Sequence, residues 1–470
     1  MATPRVFLIE FNELSPVLLD EFMREGAIPN FRRFWEDSVV FVSDAGETGG
    51  ALQPWVQWPS VHSSLPYAEH GVYRLGDGAT VSKDQLAAVL SNAGFRVGAF
   101  GSMNTNYGRA DAHLNGYFLP DPWDKRGKAV PDWLQPYYDI TSEQVKESTR
   151  REPLTAKQAV ALAAFMVKHG ISADTARSVA RQLVQERKNP QIKWRRASLF
   201  DRLQYDVFRK LNAQYDVQFA SFFSNSTAHY QHFYWRYMEP ERFGAQAADG
   251  DASLREAIRY GYQAMDALIE RFLSDYPDAI LVFATALSQE AYTGPKALMY
   301  KANDYDTLLK AANVSARVEP KPVMAEQFHL ECGDAQTAQS VLERLNDLQF
   351  ASDGKPLLQT HLNGSAVFGG CKHYEEEPRE DDFIVRKSDG ARFPFRDLFY
   401  LVDGHRSGVH NPDGALWFRI GRHQIVDRKV SILDIAPTIL TLLGVPVPAH
   451  MRGAPLPEVT GAVREKEAVA

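Results

Sequence analysis

His229 and His232 lie three residues apart in the segment AHYQHFYWR. On a helix, that spacing puts two imidazoles on one face, where neutral rings can share a metal ion. A lone buried histidine is more commonly a hydrogen-bonded core residue, so the pair gains meaning only if other groups join it. Glu10 interrupts the apolar run VFLIEF. A buried carboxylate is costly unless paired or metal-bound, so Glu10 reads either as a functional group or as the end of a strand. His405 precedes His410 by five residues in the loop GHRSGVH. There it either binds substrate or completes a turn. The glycine-rich stretch GETGGA (46–51) lacks the Gly-Lys-Ser/Thr ending and following helix of a phosphate-binding loop, and reads as a turn.

The elements that must position these groups alternate between strand and helix. Residues 6–11 have the apolar character of a strand buried on both faces of a parallel sheet. Ser15 and Pro16 then open a helix that stops near Gly26. A helix over 84–90, a strand over 96–100, a strand over 217–223, a helix over 254–273 and a strand over 279–284 follow. This order predicts an α/β fold, a central mostly parallel sheet sandwiched by helices. Residues 141–211 are charged, rich in helix formers and without strand signal, so they read as a helical insertion. Residues 301–399 read as a small α+β accessory unit, with EEEPREDD (375–382) as a solvated loop. The core is then 1–140, 212–300 and 400–458, and the polar residues 459–470 are expected to be a flexible tail.

At 470 residues the chain is longer than the roughly 250–300 at which a single core stops growing. Its 52 Lys and Arg against 59 Asp and Glu give a net charge of -7, which argues against a general nucleic-acid or anionic-membrane binder. The opening MATPRVFLIEFNELSP lacks the features of a signal peptide, and no apolar run approaches the ~18 residues of a membrane span. Only Cys332 and Cys371 occur, so no disulfide framework is expected. A cytoplasmic protein acting on a small-molecule substrate, with no nucleic acid or membrane partner, is the expectation.

Several segments, in order, resemble the phosphodiesterase and nucleotide-pyrophosphatase branch of the alkaline phosphatase superfamily, which is sulfatase-like in its fold. They are RVFLIEFNELSPVLLDEFMREGAIPNFRRF (5–34), WPSVHSSLPYAEHGV (58–72), LAAVLSNAGFRVGAFGS (86–102), HFYWR (232–236), SGVHNPDGALWF (407–418) and SILDIAPTILTLLGVPVPAHMRGAPL (431–456). The resemblance implies transfer of a phosphoryl, phosphodiester or sulfuryl group. In such enzymes a Thr or Ser attacks, and two metal ions about 4 Å apart clamp the attacking and leaving oxygens.

Position by position, this chain departs from that pattern. The family's first-strand Asp falls on Asn12, its nucleophile on Gln57, and its later Asp-His pair on Ala286 and Leu287. An amide cannot attack as an alkoxide. At the second metal site the Asp falls on Ala228, whereas the two histidines fall on His232 and His410. His229 beside Ala228 can complete a three-histidine set with an open position, suited to one zinc, manganese or iron ion. Asn12 and Gln57 can hydrogen-bond a neutral or anionic ligand, or each other. Glu290, a few residues beyond Ala286, is an alternative replacement for the Asp lost there. His70 reads as structural in its His-Gly turn, His62 is open between the two readings, and Trp55, Trp58 and Trp235 read as core.

Two functions follow from the resemblance. One is a metal-dependent hydrolase or transferase acting on a phosphate-, phosphodiester- or sulfate-type ester through a reduced, mononuclear histidine site, with Gln57, Asn12, Glu10 and His405 around it. The other is a non-catalytic homologue that binds a ligand or partner in the vacated pocket, or a different reaction on the same scaffold.

Overall fold

The side chains of residues 6–11 alternate between two apolar layers, as a strand's geometry requires. Phe7, Ile9 and Phe11 enter one layer; Val6 and Leu8 enter the other. Glu10 has the parity of Val6 and Leu8, and it is buried on their side of the sheet. The computed structural model describes residues 4–107, 114–124, 126–147, 155–244, 252–295, 298–321, 323, 327–373, 379–402 and 406–469.

In chain order the larger sheet contains β1 (Val6–Phe11), β2 (Ser38–Asp44), β3 (Val97–Phe100), β4 (Gly116–Leu119), β5 (Phe219–Ser224) and β6 (Ile280–Ala284). Next come β7 (Ser288–Ala291) and β8 (Gly408–Asn411), which pair with each other in a small sheet of their own. The larger sheet is completed by β9 (Asp413–Arg419), β10 (Gln424–Ile425) and β11 (Val430–Ser431). Its spatial order is β10-β2-β9-β6-β1-β5-β3-β4, with β11 beside β2. Neighbours run parallel except at β9, which is antiparallel to both β2 and β6. The chain therefore has the α/β architecture expected, with a mostly parallel sheet between helical layers.

The helices that matter for the site follow strand ends. α1 (Pro16–Arg24) and α2 (Pro29–Glu36) follow β1, and α3 (Pro54–Ser63) follows β2. α4 (Ser226–Met238) follows β5 almost directly, and α5 (Ala257–Asp275) leads into β6. The ends of β1, β2 and β5 lie on the carboxyl edge of the parallel sheet, where α/β folds place their ligands.

Within residues 141–211, helices Ala156–His169, Ala173–Lys188 and Arg196–Tyr215 account for most of the described chain. Thr155 and Gln158 form a reciprocal cap at the start of the first, Gly170 at φ 101° ends it, and Ser172 caps the second. The expected flexible tail is instead the helix Pro457–Val469. It is held because Val459 and Ala462 bury their side chains in the apolar layer that holds Leu8 and Val6.

Residues 293–406 form a separate unit with its own core, built on Tyr300, Phe328, Leu330, Val341, Leu345 and Phe395. Strand Ala366–His373 is central to its six-stranded sheet, and helix Ala335–Leu345 is capped by Asp334. Cys332 and Cys371 are buried and unbridged there. The charged loop expected over 375–382 lies partly outside the described residues. Among the described residues, no helix is long and apolar enough to cross a membrane.

Candidate metal centre

The turn that leaves β1 carries the first site group. Asn12 continues the parallel pairing through its N–H, which donates to Ser224 O at 2.9 Å. Glu13 then turns the chain with a left-handed φ of 62°, uncommon for a residue with a side chain. Its carboxylate is 2% exposed. Asn12 Nδ2 donates to Glu13 Oε1 at 2.7 Å, and Gln289 Nε2 donates to Glu13 Oε2 at 2.5 Å. Gln231 Nε2 holds the Glu13 backbone carbonyl at 2.7 Å. Three amides thus orient this residue.

α4 supplies His232. The buried stripe of this helix runs Ala228, Gln231, His232 and Trp235, which is the i, i+3, i+4, i+7 pattern of one face. His410 arrives on β8, directly opposite Gln289 on β7. Glu13 Oε2 stands 3.2 Å from His232 Nε2 and 3.2 Å from His410 Nε2. One ligand atom from each of the three residues lies within 4.8 Å of the other two.

The other ring nitrogens decide what this cluster wants. His232 Nδ1 faces Gly408 O at 3.3 Å, and His410 Nδ1 faces Leu52 O at 2.8 Å. A carbonyl only accepts, so each Nδ1 carries the ring proton. In a neutral ring, each Nε2 then offers only a lone pair to a carboxylate oxygen. Three acceptors this close repel one another unless a cation lies among them, either second protons on the rings or a metal ion. The approach of His410 Nε2 to Glu13 lacks hydrogen-bond alignment, although the distance is short. That favours the ion. Ligand atoms about 2.0–2.1 Å from a tetrahedral ion stand about 3.3 Å apart, so the residues fit one. Were second ring protons there instead, the charged His410 and His232 would outweigh burial and hold the Glu13 carboxyl well below the usual carboxylate range.

Gly408 makes the arrangement possible. A Cβ there would lie 2.4 Å from Gln231 O and 2.6 Å from Gln289 Oε1. Only glycine lets β8 come this close to α4 while its carbonyl serves His232.

The remaining residues singled out in the sequence distribute as follows. Asn12 accepts from Trp58 Nε1 at 2.8 Å and donates to Asn225 Oδ1 at 2.7 Å, as well as to Glu13. Gln57 is fully buried, with Nε2 on Ala51 O at 3.0 Å and Oε1 without a hydrogen-bond partner among the described residues. Ala286 and Leu287 are also fully buried. Asn12, Gln57, Ala286 and Leu287 are thus buried as amides and apolar side chains, with the Trp58 indole hydrogen-bonded to Asn12.

His229 lies on the exposed flank of α4, its ring 4.8 Å from that of Phe233, outside the Glu13 cluster. The physical reason is that the buried face of the helix is centred on positions 228, 231 and 232. Glu10 is away from the cluster too. Its Oε1 pairs with His62 Nε2 at 2.7 Å, and Ser102 donates to its Oε2 and lies 3.1 Å from Ser221. Glu290 points to solvent, where Asn411 donates to it at 3.0 Å, because β7 turns Gln289 inward and the next residue outward. His70 closes its turn by accepting from Val72 N at 3.0 Å, and burial lowers its pKa to about 4. Trp55 is half-buried; Trp58 and Trp235 are buried. His405 lies outside the described residues.

Glu13 and Gln289 were missed in the sequence. For Glu13 the available signal was a carboxylate one residue beyond the position of the family's Asp.

No protein-family model matches the chain, and no curated protein does. Among solved structures, murine ectonucleotide pyrophosphatase/phosphodiesterase 5 is similar over 94% of this chain and 96% of its own, at 9% identity and a TM-score of 0.45. Phosphonoacetate hydrolase from Sinorhizobium meliloti 1021, in complex with phosphonoacetate, covers 94% and 96% at 12% identity and a TM-score of 0.42. A mutant of alkaline phosphatase PafA covers 97% and 99% at 11% identity and a TM-score of 0.46. Likenesses this distant carry no chemistry across, which must rest on the residues above. All three of these solved structures, to which this chain is similar, are members of the alkaline phosphatase superfamily.

Proposed function

We propose that the chain is a metal-dependent hydrolase or transferase acting on a phosphate-, phosphodiester- or sulfate-type ester of a small molecule in the cytoplasm. Its site holds one divalent ion, zinc, manganese or iron, on Glu13, His232 and His410. The observation that carries this reading is the convergence of three acceptor atoms, with Glu13 Oε2 3.2 Å from both imidazole Nε2 atoms.

A divalent ion in such a set supplies Lewis acidity and lowers the pKa of water towards neutrality. The chain's own residues do the rest. Asn12 and Gln289 hold the two carboxylate oxygens of Glu13, which fixes the oxygen presented to the histidines. The carbonyls of Gly408 and Leu52 fix the ring tautomers. Gln57 cannot form a covalent intermediate, so in this reading water or a hydroxyl of a second substrate attacks.

A second reading, a non-catalytic homologue, is favoured by the filling of the other metal site with Ala286, Leu287 and the Asn12–Trp58 pair. Metal analysis by mass spectrometry on tag-free protein separates the two. The enzyme reading expects near-stoichiometric divalent metal that is lost in Glu13→Ala, His232→Ala and His410→Ala, with turnover of an aryl phosphate, phosphodiester or sulfate ester lost alongside. Protein that takes up no zinc, manganese or iron would overturn it.

A further inference from the structure

The net charge of -7 conceals a strong asymmetry. Residues 141–211 carry fifteen Lys and Arg against seven Asp and Glu, a surplus of eight positive charges. Within this segment, helices Ala156–His169 and Ala173–Lys188 both pack on helix Arg196–Tyr215. The first uses Phe165 and Met166 for burial; the second is tied by Glu186 to Arg196 and by Asp174 to Arg202. Their only two acids are thus paired. Lys157, Lys168, Arg177, Arg181, Arg187 and Lys188 are exposed, and none is ion-paired with a described residue.

The outward faces of the same helices are apolar. Along the first, Ala156, Ala159, Val160, Ala163, Ala164 and Val167 form one helical stripe, all exposed, with Val160 at 69% and Val167 at 75%. On the second, Ala176, Ala180, Leu183 and Val184 repeat the pattern, with Leu183 at 49% and Val184 at 56%. A helix exposed to water normally turns a polar face outward. These two turn out apolar stripes flanked by basic side chains.

We propose that this helical insertion docks on an anionic lipid bilayer. The apolar stripes enter the headgroup–acyl boundary while the flanking Lys and Arg reach the lipid phosphates, the arrangement of interfacial amphipathic helices. Charge complementarity selects the occupant. The surplus positive charge meets an anionic surface, and the aliphatic stripes need an apolar phase that a nucleic acid backbone does not supply. The stripes also hold no aromatic ring on which bases could stack. The insertion lies on the membrane rather than crossing it, since no described helix is long and apolar enough to span.

The test is co-sedimentation of the full chain with vesicles of phosphatidylcholine alone and of equal parts phosphatidylcholine and phosphatidylserine. Binding is expected only to the anionic vesicles and should weaken with salt. Two double variants probe the two halves of the surface: Val160→Glu with Val167→Glu, and Lys157→Glu with Lys168→Glu. Each should lower apparent affinity by at least about tenfold. All four residues are exposed, so wild-type melting temperature and metal content are expected in both variants and certify the fold. If one variant fails to fold, the other still decides. Absence of binding to the anionic vesicles would overturn the proposal. So would unchanged binding in a folded variant, or equal affinity for duplex DNA.

Discussion

Glu13 is the residue on which the chemistry turns, and its neighbours allow its role to be separated from theirs. Residues that orient a metal ligand without touching the ion typically contribute about 10–100-fold to affinity. Gln289→Ala, which removes one donor from Glu13 Oε2, should fall in that range. Glu13→Gln keeps the shape and removes the charge, and should cost more. Competition with a chelating indicator measures both; equal losses in the two variants would make Glu13 a supporting group rather than a ligand. Asp201 supplies a second test at this scale. It is buried beside helix α4, with Ser226 Oγ donating to it, and burial raises its pKa to about 7 despite that hydrogen bond and one from Ser224. The unfolded group titrates near 3.9. The folded chain therefore keeps a proton that the unfolded chain loses, and the stability this provides is full below about pH 4 and lost as pH rises through 7. At about 1.4 kcal/mol per pH unit, the swing is at most about 4 kcal/mol. Asp201→Asn should remove it, so the stability of the variant relative to wild type should rise by about 1–4 kcal/mol between pH 4 and pH 8 in urea unfolding. A difference that stays flat across this range would mean that the carboxyl ionises normally in the fold.

At the scale of elements, strand parity explains both what could be read from the sequence and what could not. The apolar run of β1 identified a buried strand, and its alternation sends Glu10 to the face shared by Val6 and Leu8, where His62 and Ser102 meet it. An unpaired glutamate in an apolar strand could not reveal this, because His62 is brought to it by α3 from fifty-two residues away. His62→Ala should leave a buried carboxylate without its main partner and cost about 3–5 kcal/mol. Adding Glu10→Gln should recover part of that, as read by denaturant unfolding. Metal content should stay at the wild-type level while the fold holds; its loss would return Glu10 to the chemistry. The family resemblance pairs His232 with His410, and in the structure both Nε2 atoms stand 3.2 Å from one Glu13 oxygen. The carboxylate between them depends on a single left-handed turn at Glu13, which no periodicity announces. Three-residue spacing usually shares a face and groups His229 with them, but packing against β7 and β8 turns the buried stripe of α4 towards Ala228 and His232. The C-terminal helix escaped for a similar reason: its buried Val459 and Ala462 are too few, in a polar segment, to show a period.

For the whole molecule, the question is how much of the chain the metal centre needs. All three cluster residues, and the amides that hold them, belong to the unit made of residues 1–292 and 407–470. The other unit leaves this one between β7 and β8, and Tyr292 N donates to Ser407 O at 2.8 Å where the two ends meet. β7 and β8 are antiparallel, with Gln289 opposite His410 and Ala291 opposite Gly408. Residues 293–406 are therefore an insertion at the open end of a two-stranded hairpin, and they bring a core of their own. A hairpin of this kind can be closed by two residues in a tight turn, for which Asn-Gly is the favoured pair. Replacing 293–406 with Asn-Gly should leave the strand register intact and keep Gln289, His410 and Gly408 where Glu13 and His232 need them. The shortened protein is expected to melt cooperatively and to bind metal within about threefold of the full chain, a difference below about 0.7 kcal/mol. Near-complete metal loss from a protein that still melts cooperatively would mean that the second unit supplies something the hairpin cannot hold by itself. Retained metal with lost turnover would instead assign 293–406 to substrate recognition and leave the ligand set as described.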